Sequence, residues 1–433
     1  MNQIALRLVI IFICTEIYAV HRFSDEVIGK KLSEEKKITI SGFTAYHSYF
    51  DSRQIVSLHE KFLLFYPQRP RYDELGNDIN AHAQYDASSF ITRVIMDMQG
   101  PDTFNAHTGG LIESDFVGVV DGPTTAGNGN IDYRVRMAYF FLEWDKIFVL
   151  AGLNWHPLFQ EDCFPRVISY NIGTPFEPEG WHAQAKLVGR ISPSLEMMFA
   201  MATEVGFTTN GVDGFTPEYL QWAILPQLIG HLRYYINDRT AVTGSLYFKR
   251  VVPRLVTDLC FKTDESVNGV GVQATASLNY PTWSTNMKVI YVENGTDLTL
   301  IGGYAVATRD KNTGMQTYKP TRAISTWIDT EGYYNDLKPG IFIGFSKNLG
   351  TSSNLYIDPT TGNPILYVQL ESEHLDYVGR ISPRIKWNIK GFELSGELEY
   401  TFAAYGSIAP NATIFNSKIV NNARILIAGY YFF

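Results

Sequence analysis

Asn422-Ala423-Arg424-Ile425-Leu426-Ile427-Ala428-Gly429-Tyr430-Tyr431-Phe432-Phe433 reads as one long strand with an aromatic residue at its end. Side chains alternate between the two faces of a strand. Ile425, Ile427, Gly429, Tyr431 and Phe433 therefore share one face, and Arg424 lies on the other. A soluble domain rarely leaves such a strand uncapped. The stretch predicts the closing strand of a transmembrane antiparallel β-barrel, with Phe433, Tyr431 and Ile427 towards lipid and Arg424 towards the lumen.

Working back from this strand, alternating segments of about ten residues recur from Ile38 onward, the length a tilted strand needs to cross a bilayer. They fall at 38–50, 88–98, 108–118, 130–144, 146–155, 180–191, 194–205, 223–237, 240–251, 266–280, 283–294, 320–331, 339–348, 375–389, 391–405 and 420–433. The fold class is thus all-β, an even-numbered barrel of about 16 strands. Short turns (Asp145, Ser192-Pro193, Asn237-Asp238-Arg239, Pro281-Thr282, Lys390-Gly391) interleave with long polar loops at 51–87, 156–179, 206–222, 295–319 and 349–374. Sorting of this kind puts short turns in the periplasm and long loops outside the cell.

Parity within strands agrees. In 130–144, Tyr133, Val135, Met137, Tyr139 and Phe141 oppose Asp132, Arg134 and Arg136. In 180–191, Trp181, Ala183, Ala185, Leu187 and Ile191 oppose His182, Gln184, Lys186 and Arg190. In 391–405, Phe392, Leu394, Leu398, Tyr400 and Phe402 oppose Glu393, Ser395, Glu397, Glu399 and Thr401. Burying such charged faces in a sandwich core would be costly. A water-filled lumen removes that cost.

Composition and the start of the chain fit a membrane barrel. Arg7, an apolar run from Leu8 to Cys14 and the small Ala19 form a signal-peptide layout over 1–19. Charged residues from 20 to 37 read as a short periplasmic leader, leaving 38–433 as the barrel. No later stretch approaches the roughly 20 apolar residues of a membrane helix, so any crossing must be made by a closed barrel. A mean hydropathy of -0.08 with 45% hydrophobic residues suits half-lumenal strands, and 26 Tyr with 27 Phe suit interfacial girdles. The net charge of -8 argues against a nucleic-acid partner. Cys163 and Cys260 both fall in predicted loops, which leaves a disulfide open.

Inward parity assigns a basic wall to Arg93, Arg134, Arg136, Lys186, Arg190 and Arg233, continued by Lys249, Arg380, Arg384 and Lys386. Glu113 and Asp115, with Glu393, Glu397 and Glu399, supply the opposite sign. The loop 156–179, between the fifth and sixth strands and so the third connection at the long-loop end, carries Glu161, Asp162, Glu177 and Glu179, which would face the basic wall across a constriction and select solutes by charge and size. The bland reading is that these charges only pair with one another. No nucleophile elbow or zinc helix occurs. We therefore expect no catalytic residue, no metal site and no cofactor.

Ser88-Ser89-Phe90-Ile91-Thr92-Arg93, Gly109-Gly110-Leu111-Ile112-Glu113-Ser114-Asp115-Phe116-Val117-Gly118, Tyr133-Arg134-Val135-Arg136-Met137-Ala138-Tyr139 and Leu150-Ala151-Gly152-Leu153-Asn154-Trp155 together resemble the DcaP-like outer-membrane porins, most clearly over 85–160. Asn154 replaces that family's usual Gln. The terminal Phe433 resembles the signature by which Gram-negative bacteria recognise outer-membrane proteins for assembly. The resemblance implies a homotrimeric, 16-stranded channel in outer-membrane lipid for small, often negatively charged solutes, with Arg93, Arg134 and Arg136 on its basic wall. The expected function is passive diffusion of small hydrophilic solutes with a mild anion preference. The alternative is an adhesin or receptor acting through its loops, favoured by the aromatic first loop (Phe62, Phe65, Tyr66, Tyr72, Tyr85).

Overall fold

The structure, a computed structural model, describes residues 35–59, 61–118 and 132–433. The expected signal segment 1–19 and the expected leader up to residue 34 lie outside the described residues. The main sheet holds 17 strand stretches, of which Gln84–Ser88 and Arg93–Gln99 run in line beside the same neighbour, Lys37–Asp51. Taken as one strand, that pair leaves 16.

These are β1 (Lys37–Asp51), β2 (Gln84–Ser88 and Arg93–Gln99), β3 (His107–Gly118), β4 (Asp132–Glu143), β5 (Ile147–Trp155), β6 (Trp181–Ser192), β7 (Leu195–Glu204) and β8 (Gln227–Asn237). Then follow β9 (Thr240–Val251), β10 (Val267–Tyr280), β11 (Trp283–Glu293), β12 (Arg322–Gly332), β13 (Leu337–Gly350), β14 (Leu375–Ile389), β15 (Phe392–Ile408) and β16 (Ile414–Phe432). Each pairs antiparallel with the next, and β16 closes on β1 from Phe432 opposite Phe43 to Arg424 opposite Asp51. Closure leaves no edge strand, so every ladder group finds a partner within the sheet.

The connections sort by length. Turns at 144–146, 193–194, 238–239, 281–282 and 390–391 share one end with the turns 100–106 and 333–336. The other end carries L1 (52–83), L3 (156–180), L4 (205–226), L5 (252–266), L6 (294–321), L7 (351–374) and L8 (409–413), while the connection L2 (119–131) lies outside the described residues. L8 is shorter than the sequence suggests, because β15 and β16 continue past the expected ends to a tight hairpin in which Ile408 faces Ile414.

The outer surface is apolar around the barrel: Leu246, Val272, Leu398 and Ile427 are among its exposed side chains. On the inner face of the same strands stand Lys249, Gln273, Glu397, Glu399 and Arg424, all buried. Strand parity therefore divides lipid from lumen.

One parity reading needs correction. Opposite Glu113 and Ser114 the register slips, so Glu113 faces Met137 while Ser114 faces Val135. Arg136 is the extra residue of this β-bulge, which turns the rest of β4 over. Tyr133, Val135 and Phe140 are exposed on the outer face, whereas Met137 is buried. Tyr139, expected beside Tyr133 on one face, sits opposite inward-facing Leu111 instead. The disulfide left open by sequence is not formed: Cys163 is a buried free thiol and Cys260 an exposed one.

Candidate functional site

L3 and L1 turn into the barrel, and L6 reaches its inner face through Asp297. L3 carries Pro157, Pro165 and Pro175, residues that cannot donate to a ladder, so it bonds to the wall piece by piece. Gln160 Oε1 accepts from Thr275 (2.7 Å), and Lys288 Nζ donates to the Leu158 and Phe159 carbonyls (both 2.9 Å). The Ile168 and Ser169 amides donate to Glu397 Oε2 (2.6 and 2.9 Å), and Asn171 Nδ2 donates to Glu399 (2.6 Å). Gly173 has φ of 90°, and a Cβ there would meet Pro165 at 2.7 Å, so only glycine lets the loop double back. L3 thus crosses from β5 to β15.

L1 enters beside it as a hairpin of Ile55–Leu58 with Leu63–Pro67. Phe62, Leu63, Leu64, Phe65 and Tyr66 are buried there. The loop aromatics that favoured an adhesin are therefore largely inside the barrel, and only Tyr72 and Tyr85 of that group are exposed.

The expected wall residues are on the lumenal side, but in ion pairs. Arg136 binds Glu113 (2.6 Å) and Asp115 (3.0 Å), Arg134 grips Asp115 through Nε (3.0 Å) and Nη2 (2.7 Å), and Arg93 lies 3.3 Å from Glu113. The guanidinium groups of Arg134 and Arg136 both stand 4.7 Å from the Trp181 ring, a cation–π geometry. Arg136, Glu113 and Asp115 have fully buried side chains. A buried charge must be matched in this way.

Further down, Arg233 meets Asp162 at 2.6 Å and Arg190 lies 3.9 Å from Glu196. Lys186 acts electrostatically on Glu161. Unlike the Arg136 cluster, Arg134, Lys186, Arg190 and Arg233 remain partly exposed, as do Glu161 and Asp162. Four partly exposed cations of the expected set thus lie on the β4 to β8 side, while Lys386 of β14 and Glu393 of β15 are partly exposed across the barrel. Glu177 and Glu179 are buried: Glu177 bonds Lys288 and the Trp327 indole, and Glu179 accepts from the Thr174 hydroxyl (2.8 Å).

Sequence reasoning missed the pairing of Asp297 in L6 with Lys249, Gln227 Nε2 (2.7 Å) and His182 Nε2 (3.6 Å). Nothing local marks it, since Lys249 and Asp297 lie 48 residues apart.

Burial is the main influence on Glu179, lifting its carboxyl to about 7, with Arg136 and Arg134 opposing. A carboxyl raised above its ordinary 4.5 stabilises the docked loop in its protonated form, fully below pH 4.5 and no longer once pH passes 7. L3 should therefore resist added protease better as pH drops through 7, and Glu179→Gln should hold the low-pH resistance at every pH. Unchanged pH dependence in that variant would remove Glu179 from the response.

No protein-family model matches this sequence, and no curated protein does. Solved structures do. The outer-membrane channel DcaP of Acinetobacter baumannii superposes with a TM-score of 0.64 at 14% identity, covering 93% of this chain and 100% of that one. OmpT of Vibrio cholerae, as expressed in the outer membrane, gives 0.52 at 11% identity over 93% and 99%. Its in-vitro folded trimer form gives 0.51 at 10% over 92% and 100%. The fold is that of bacterial outer-membrane channels. With the apolar belt, it places this barrel in that membrane. In this porin-type frame the lumen, where L3 meets the β4 to β8 wall, is the candidate site.

Proposed function

We propose that the chain is a passive outer-membrane porin, not an enzyme, admitting small hydrophilic solutes with a mild preference for anions. The observation that carries this reading is the partly exposed row of Arg134, Lys186, Arg190 and Arg233 opposite the inturned L3. Solutes passing there meet paired charges of both signs at close quarters, so selection by sign and size follows from local fields. Arg93 and Arg136 support the wall from within their ion pairs and do not meet the solute. The trimer form described for OmpT supports a homotrimer for this chain.

The test is a reversal potential across a planar bilayer under a salt gradient. Lys186→Gln with Arg233→Gln leaves Glu161 and Asp162 without their cationic partners. The cation-to-anion permeability ratio should rise on the order of fivefold, since a unit charge at close range in water is worth about 1 kcal/mol. Absence of current from the wild-type protein would overturn the porin reading. Current with an unmoved reversal potential would overturn only the selectivity assigned to this row.

A further inference from the structure

We propose that L1 is a displaceable plug of the lumen and that Arg380 is the latch tying it to L3; this rests on the porin reading above. Among the described residues the L1 hairpin pairs only with itself and adds no strand to the barrel. Its second strand, Leu63–Pro67, is apolar and buried, so the backbone carbonyls there need donors from elsewhere. They come from wall side chains. Arg380 Nη2 donates to the Leu64 and Phe65 carbonyls (both 3.0 Å), Arg424 Nη2 to that of Lys61 (2.8 Å) and the Tyr405 hydroxyl to that of Pro67 (2.6 Å).

Arg380 does more than hold L1. Its Nη1 donates to the Thr174 carbonyl of L3 at 2.8 Å, so one guanidinium fixes both inturned loops. Phe62 of L1 also meets Tyr170 of L3 edge-on, with ring centroids 6.3 Å apart.

Three features make L1 the part that moves. Both wall arginines are neutralised within the wall, Arg424 by Asp51 (2.8 Å) and Arg380 by Glu399 (3.6 Å), so withdrawal of L1 leaves no uncompensated charge. L3, in contrast, satisfies wall carboxylates and Lys288 directly, and its departure would strip them of partners. The base of L1 is braced internally, with Arg53 bonding the Gln68 carbonyl (2.9 Å) and Asp78 (2.8 Å). That bracing lets the loop swing as one body. A carbonyl released from arginine is rehydrated at little cost once the hairpin reaches water.

The experiment combines current with accessibility. In a Cys260→Ser background, Leu64→Cys places a thiol where the side chain is fully buried, and a membrane-impermeant maleimide added outside reads exit of the plug. Labelling should be slow with Arg380 present and at least about tenfold faster in Arg380→Ala, the factor for roughly 1.4 kcal/mol of lost latch. Replacing residues 55–82 by a short Gly-Ser linker should raise the open-state current. Heat-modifiable mobility on gels establishes that each variant retains a closed barrel. Equal labelling with and without Arg380 overturns the latch, and unchanged current without L1 overturns the plug. A wild-type protein and a loop-deleted protein that are both silent would instead sink the porin reading.

Discussion

Leu246→Arg should cost about 2–4 kcal/mol of barrel stability, the penalty for a cation at the lipid-facing midplane of a membrane barrel. Leu246 sits midway along β9, points outward with about two-thirds of its surface exposed, and faces Val272 of β10 across the ladder. In a water-soluble barrel an exposed leucine is already solvated, and exchanging it for arginine changes stability by no more than about 0.5 kcal/mol. Depth supplies the internal control. Ile236 also faces outward but lies next to the turn at 238–239. There the side chain can snorkel to the headgroups, and Ile236→Arg should cost no more than about 1 kcal/mol. Urea titration in lipid vesicles, followed by the heat-modifiable gel shift, measures both. Equal penalties at the two sites would contradict the assigned membrane belt.

The strands were legible because a membrane barrel writes two solvents into one chain. Lipid outside and polar surroundings inside enforce alternation over each crossing, so 283–294 was expected and Trp283–Glu293 is found. The bulge at Arg136 was not legible: one extra residue reverses parity without altering composition. Inward parity also says nothing of pairing. It put Arg93, Arg134 and Arg136 on the correct face but could not tell a free ladder from a clamp on Glu113 and Asp115. L1 carried a readable signal in Phe62-Leu63-Leu64-Phe65-Tyr66, an apolar run too dense for a hydrated loop. Its partner Arg380 lies 316 residues from Leu64, and no local pattern connects them.

Gly340→Ala should destabilise the barrel by about 1–3 kcal/mol, the range for overpacking a close-packed site. Glu331, Gly340 and Arg384 occupy one rung across β12, β13 and β14. Arg384 reaches over Gly340 to bind both oxygens of Asp329, at 2.6 and 2.8 Å, with Glu331 at 3.2 Å. A Cβ on residue 340 would stand 2.7 Å from the guanidinium carbon. The guanidinium must then shift, which loosens its grip on both oxygens of Asp329, while Glu331 keeps Lys386 at 3.1 Å. Arg384→Leu orphans that carboxylate outright and should cost more, about 3–5 kcal/mol. With the arginine already gone, alanine at 340 clashes with nothing on this rung and restricts the unfolded chain, which is neutral to slightly stabilising. The double variant should therefore be no less stable than Arg384→Leu alone, a strongly non-additive cycle. Additive losses in the same titration would mean that Gly340 serves backbone geometry and not the passage of Arg384.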